Sequence, residues 1–468
     1  MPIISAISSQ ISSDAPASRL YTELLLAIFC LNSDMYLPLE EDVYAIDTLR
    51  YTSQVCSAWR SIALESPALW AQVLNLNRLQ HLPKNWVDII IERTKGSPLF
   101  VKATGVSTLR EGAPFFRLFV TEHWERICHL DVVTNLFNPP QPLGDEPSKW
   151  CSLFSRPSSL RYLKFWTSIP AGDVFPLLTS SLFPDLEEVD LADHPHTVTG
   201  GTALLPEDVF ALPPSTFLVL RRIKLQLYWP HSANKIMCLL QTIVLKTTCE
   251  LHLRLLSPDD LSAIRPDFPN VLRRYLQYAR PVASRENLCA SITIEPNSMH
   301  IIIKLAHGRE LFRFSLECED PEFSLQIPPA FISALGNLQS NELKRLSLAL
   351  HPQIGLPSLA TEIIEKCSIA FPCIEDLDMD GDTISQFSSL QRRTNSLLFY
   401  NLKIIVVRMC DADQLAAFIE SRQAKGGSVP EELVLIEPKL MAMVDLLRSL
   451  SGLKVRISDP ERRITLPI

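Results

Sequence analysis

One pattern recurs through most of the chain: an apolar residue, two others, an apolar residue, one other, and a third apolar residue. It appears at Ile127/Leu130/Val132, Leu160/Leu163/Phe165, Leu186/Val189/Leu191 and Leu220/Ile223/Leu225. It returns at Leu343/Leu346/Leu348, Ile374/Leu377/Met379, Leu402/Ile405/Val407 and Leu450/Leu453/Val455, with Pro430/Leu433/Leu435 as a degenerate copy. The last two apolar residues are two apart, so both side chains fall on one face of a short strand. Helix-forming segments separate the late copies. Leu359, Ile363, Ile364, Cys367 and Phe371 share helical spacing, as do Leu415, Phe418 and Ile419 before a Gly426-Gly427 stop. A third helix is predicted from Lys439 to Leu450.

Strand, turn, helix, strand is the unit of a leucine-rich-repeat solenoid. The spacing here is longer and less regular than the about 20–29 residues of that class. The Asn/Cys rung after the strand survives only as Cys410, with Asp382 and Ser168 as weak imitations. Residues 126–468 are therefore expected to form a degenerate leucine-rich-repeat-like α/β solenoid. A non-repeating α/β domain is the alternative. The gap between Leu225 and Leu343 holds Glu250–Leu256, Ser291–Glu295, His300–Leu305 and Leu311–Leu316, each with strand-like alternation. They predict a β-rich insertion within the array.

The N-terminal part reads differently. Leu24/Ile28 and Leu25/Phe29 are four apart and stack along a helix whose apolar positions cover more than one face. A second segment carries Leu49, Thr52, Cys56, Trp59 and Ala63 at steps of three and four, flanked by Val55 and Ile62. Pro67 ends that helix, because a residue before proline avoids the α region. Leu69 and Trp70 follow in a short terminal turn. Between the two segments, Asn32 to Thr48 is long and acidic and reads as a loop.

Val55-Cys56, Trp59, Pro67 and Leu69-Trp70 stand at the spacing of the F-box, and this stretch resembles that family. Tyr21 occupies the place of the proline that usually opens the first helix. The resemblance extends to the F-box families of mushroom-forming fungi, which continue with a Trp-led helix and a Ser-Pro-Leu strand, here Trp86 to Arg93 and Ser97-Pro98-Leu99. It implies a small all-helical module over residues 18–75 that binds a Skp-family linker and, through it, a cullin-RING ubiquitin ligase. Leu20, Leu24, Ile28, Phe29, Leu49, Val55, Cys56, Trp59, Ile62, Pro67, Leu69 and Trp70 would build or support the linker-binding face. Residues 1–17 are expected to be a disordered tail, and 76–125 a stiff linker region of helix and strand. The chain would then be a non-catalytic adaptor that selects a target for ubiquitination. Alternatives are an F-box-like scaffold acting outside the ligase, or an unrecognised enzyme or metalloprotein in the β-rich middle.

Composition narrows the partners. The net charge is −8 with no long charge block, which argues against general nucleic-acid or anionic-membrane binding. Only 14 glycines are present, and no Walker loop, Gly-x-Ser-x-Gly elbow or His-Glu-x-x-His occurs, so no catalytic or cofactor-binding residues are assigned. The eleven cysteines are scattered through apolar runs, as expected of buried reduced thiols in a cytoplasmic or nuclear protein. Three constellations are read as structural. Asp193, His194 and His196 suit a surface loop better than a metal site. Arg273-Arg274-Tyr275 suits a helix packing face better than an RNA contact. Asp376, Asp378, Asp380 and Asp382 alternate as a solvated acidic ridge, without the closing glutamate of a calcium loop. In the repeat reading, Arg345, Ser347, Asp376, Asp378 and Lys403 point out from one strand surface and form the candidate target-binding row.

Overall fold

A computed structural model describes residues 20–36, 44–104, 106–133, 152–167, 169–178, 181–193, 216–217, 219–228, 230–245, 249–256, 270–271, 274, 288–295, 298–317, 343–351, 357–394, 397–408, 410–436, 454–458 and 465–467. The chain is mixed α/β and divides into two compact units, one formed by residues 1–202 with 217–219, the other by 203–216 with 220–468. The expected 126–468 domain thus spans the division. Residues 1–17 and the predicted helix at Lys439–Leu450 lie outside the described residues.

The first unit opens with four helices, α1 (Thr22–Asn32), α2 (Ala45–Thr52), α3 (Ser57–Glu65) and α4 (Pro67–Ala71). Two features differ from the sequence reading. Helix α2 begins inside the stretch expected to be a loop, with Ala45, Ile46 and Leu49 buried. The periodic run from Leu49 to Ala63 is two helices, not one. The break falls where side chains compete for the backbone: Ser53 Oγ donates to the Arg50 carbonyl at 2.7 Å, and the Arg60 guanidinium Nε donates to the Ser53 carbonyl at 3.2 Å. Pro67 behaves as expected. Ser66 takes φ −109° and ψ 83°, α3 stops, and Pro67 supplies the first turn of α4.

Strands β1 (Leu74–Asn75), β2 (Leu99–Thr104), β3 (Ile127–Val133), β4 (Tyr162–Trp166) and β5 (Glu188–Ala192) pair in chain order, all parallel. Helices α5 (Lys84–Arg93) and α6 (Val106–His123) lie between the first three. The stretch expected to be a linker therefore contributes a strand, β2, to the same sheet as the first copy of the repeat. The repeated apolar residues align across strands: Val101 with Leu130, Leu163 and Val189, then Ala103 with Val132, Phe165 and Leu191. All eight are buried.

The second unit continues the pattern through β6 (Arg222–Leu227) and β7 (Glu250–Leu256). An antiparallel meander follows, formed by β8 (Leu288–Glu295), β9 (Ser298–Leu305) and β10 (Glu310–Glu317). Its last strand pairs parallel with β7 and its first pairs parallel with β11 (Leu343–Leu350). The insertion is thus spliced into the sheet rather than hung from it. Strands β12 (Asp376–Asp380), β13 (Ile404–Arg408), β14 (Glu432–Ile436) and β15 (Lys454–Ser458) then pair in order and parallel. Leu346, Leu377, Ile405, Leu433 and Val455 form one buried ladder. Leu348, Met379, Val407 and Leu435 form the next.

Helix α7 (Pro357–Ala370) joins β11 to β12, α8 (Gly381–Arg393) joins β12 to β13, and α9 (Ala412–Ala424) joins β13 to β14. They bury the predicted Ile363, Ile364, Cys367, Leu415, Phe418 and Ile419. Gly426 takes φ +76° just past α9, the left-handed position that ends a helix without Cβ strain.

Candidate functional site

The residues predicted to serve a partner of the helical module fall into three groups. Phe29, Leu49, Leu69 and Trp70 are buried and hold the helices together. Trp70 Nε1 donates to the Ala63 carbonyl at 2.8 Å, and the Arg93 guanidinium lies over its ring at 4.4 Å. Cys56, Trp59, Ile62 and Pro67 are half-buried. Trp59 meets Phe29 edge-on, with ring centroids 5.2 Å apart. Leu20, Leu24, Ile28 and Val55 are exposed.

The exposed group carries the site. Leu25 and Phe29 turn one stripe of α1 inward, while Leu24, Ile28 and Leu31 form a second stripe one helical face away. Leu24 is 51% exposed and Leu31 65%, and on the same module Tyr51 and Val55 are each 62% exposed. Helix α1 is thus apolar on both faces, with one face left in water. Leu31 extends the stripe three residues past Ile28, and Tyr51 is a further exposed ring on the module that sequence periodicity did not single out.

Tyr21 lies at the N-cap of α1 rather than at its first helical position, with φ −62° and ψ 147°. Its carbonyl accepts from the backbone N–H groups of Leu24 and Leu25, each at 3.0 Å. That φ is the value a proline ring imposes, so a proline could stand at this position without changing φ. The acidic insert is put to structural use at Asp47, which pairs with Arg78 Nε at 2.9 Å and Nη2 at 3.2 Å.

Outward-facing residues of β2–β5 form an open groove of about 680 Å³ beside α4, lined in part by Phe100, His129, Tyr162 and Glu188, which align across the strands. His129 stacks on Tyr162 at 4.0 Å and on Phe100 at 5.5 Å, and Tyr36 tilts against it at 4.6 Å. Burial, reinforced by Lys102, lowers its pKa to about 4. The folded protein thus holds this imidazole neutral at pH values where an unfolded histidine takes up a proton. Stability from this residue is complete above pH ~6.5 and is lost as pH falls toward 4, by up to about 3 kcal/mol. Asp131 works in the opposite sense, because burial raises its carboxyl despite Lys164 3.7 Å away. The His129 contribution is therefore read from the difference between the wild type and His129→Phe. Chemical denaturation at pH 7 and pH 4.5 should show the wild type losing more stability than the variant.

In the second unit, Arg345 aligns with Asp376 and Ser347 with Asp378, on the side of the sheet opposite the buried ladders. These four stand side by side across the two strands, as the repeat reading expected. Lys403 is different: Ile404, not Lys403, aligns with Asp376, and Lys403 sits just before β13 with its Nζ 2.6 Å from Glu375. Lys344 reaches the same carboxylate at 2.6 Å, and the two lysines hold it below the usual carboxylate range.

The solvated acidic ridge is corrected as well. Asp376 is paired with Arg345 at 2.8 Å and Asp378 with Arg408 at 2.6 Å, leaving the two carboxylates 19% and 15% exposed. Asp380 caps α8 by accepting from the Thr383 N–H at 2.8 Å, and Asp382 lies in the first turn of that helix. The series is thus consumed by two ion pairs and a helix start.

Of the remaining constellations, Asp193 is buried and accepts from the Ala171 N–H at 2.7 Å, while His194 and His196 lie outside the described residues. Arg274 Nη1 donates to the Gln241 carbonyl, and Arg273 and Tyr275 lie outside the described residues. Cys128, Cys249, Cys289, Cys367 and Cys410 are buried thiols, and burial pushes Cys367 up to about 12. No described helix is long and apolar enough to cross a membrane. No protein-family model matches the chain, and no curated protein matches its sequence.

Proposed function

We propose that the protein is a substrate-recognition adaptor of a Skp–cullin–F-box ubiquitin ligase, with α1–α4 as the F-box and the strand–helix units as a leucine-rich-repeat-like target-binding region. The observation that carries this reading is the second apolar stripe of α1, left in water on a module whose own core is already closed by Leu25, Phe29, Leu49, Leu69 and Trp70. The ordered residues Val55-Cys56, Trp59, Pro67 and Leu69-Trp70 supply the family to which such a stripe belongs. The parallel order of β11–β15, with helices joining β11 through β14, supports the repeat reading. In this reading catalysis belongs to other subunits, and this chain sets which protein is brought to them.

The test is co-expression of the full chain with a Skp-family linker, followed by size-exclusion chromatography. Co-elution is expected, together with a cullin when one is supplied. A folded chain that elutes alone overturns the reading. Co-elution with the linker but never with a cullin favours a scaffold acting outside the ligase.

A further inference from the structure

The side of β11–β15 facing away from the buried ladders is not uniformly polar. Val406 and Val434 stand directly opposite each other, with Ile404 and Ile436 at the flanking outward positions of the same two strands. All four are half-exposed, so two adjacent strands present a branched apolar strip to solvent. Sequence periodicity hid this strip, because β13 and β14 read as continuous apolar runs with no polar face.

Ion pairs border the strip, and they share one orientation. Arg345 over Asp376, Arg408 over Asp378 and Arg456 over Glu432 leave the cations 56%, 55% and 48% exposed, against 19%, 15% and 21% for the anions. The carboxylates form the lower layer and the guanidinium groups the outer one. Arg345 and Arg408 both turn Nε and Nη2 toward their carboxylates, so Nη1 has no partner among the described residues. Each carboxylate fixes the plane of its guanidinium and aims the spare donors outward at little entropic cost on binding. What this face offers a visitor is therefore fixed cationic donors around an apolar centre. A basic partner would have to displace guanidinium groups from acids they already satisfy.

We propose that this face of the second unit docks an acidic protein segment with apolar side chains between its carboxylates. This deepens the adaptor reading by naming what the target presents, and it rests on that reading for its purpose. Strands lie ~4.8 Å apart and Arg345 is level with Ile404, four residues before Arg408, so the two arginines stand about 10 Å apart across the sheet and about 13 Å apart along it. That placement suits carboxylates about four residues apart in an extended chain, with an apolar side chain midway on the same face. The strip contains no aromatic ring for a base to stack on, which separates it from single-stranded nucleic-acid platforms.

The test uses the full chain and a fluorescein-labelled peptide of about nine residues in which glutamate and valine take turns at every second position with serine between, so that both face the sheet, and ~3.3 Å per residue gives it the length to cross these strands. Fluorescence anisotropy should show binding that weakens with added salt. The V406T/V434T variant, which keeps the branched shape and removes the apolar surface, should bind at least about tenfold more weakly. R345Q/R408Q should also bind about tenfold more weakly and with less dependence on salt. Thermal midpoints report folding of both variants.

Equal binding of a lysine–valine peptide overturns the proposal. So does tighter binding of a uridine oligonucleotide, or wild-type affinity in both folded variants. Linker co-elution is measured on the same preparations. Peptide binding without the linker overturns the adaptor reading alone, and linker binding without the peptide overturns only this assignment.

Discussion

Leu377→Ala is expected to destabilise the second unit by about 3–4 kcal/mol, whereas Asp376→Ala, at the adjacent position, should cost less than about 1 kcal/mol. The contrast follows from the two faces of β12. Leu377 is fully buried and stands between Leu346 and Ile405 in a ladder that crosses five strands. Removing its branched end leaves a cavity that parallel neighbours on both sides cannot collapse to fill. Asp376 faces outward, and its partner Arg345 is 56% exposed, so water replaces much of what the ion pair supplies. Urea denaturation followed by far-ultraviolet circular dichroism measures both. Similar losses at the two positions would mean that β12 does not have one buried and one solvent-facing side.

The part of the fold that was legible is the part governed by this alternation. The inward positions of nearly every described copy are buried, including the degenerate Leu433 and Leu435, because burying a strand face requires apolar residues two apart whatever the neighbouring helices do. The meander was legible for the same reason, and Gly426 marked a helix end that demands positive φ.

What escaped was decided by side-chain partners that spacing cannot reveal. The stretch after Asp380 starts a helix because Asp380 caps it and Thr383, fully buried, accepts from the Leu350 N–H at 2.9 Å. Arg422 is fully buried, donating to the Leu398 carbonyl at 2.7 Å and to the Phe399 carbonyl at 3.2 Å, and burial lowers its pKa to about 10. A guanidinium is ordinarily read as surface, and only the two loop carbonyls beneath α9 explain this one. The outward charges were placed on the correct side of the sheet, but their mutual pairing was not, since an aspartate in one strand does not announce the arginine some thirty residues away that will cover it.

The module at the N-terminus offers the sharper experiment. Under the proposed adaptor function, replacing Leu24 and Ile28 together by glutamate should weaken linker binding at least about a hundredfold while leaving the fold intact. Both side chains are already in water, at 51% and 37% exposure, so the free protein loses little packing. In the complex, two carboxylates would be carried into a desolvated apolar contact with no cation to meet them. Trp59→Ala provides the control with the opposite signature. Trp59 is half-buried against Phe29, so its truncation should lower stability by about 2 kcal/mol, below the ~3–5 kcal/mol typical of a fully buried ring, and should weaken binding through the damaged module. Titration with a purified Skp-family linker gives the affinities, and thermal unfolding of each free variant gives the stabilities. Wild-type affinity in a folded L24E/I28E protein would remove the stripe from the interface. Loss of affinity matched by loss of structure would show that Leu24 and Ile28 support the module rather than meet a partner. Affinity lost with the thermal midpoint unchanged is the result expected of a docking surface, because a supporting role would lower both together.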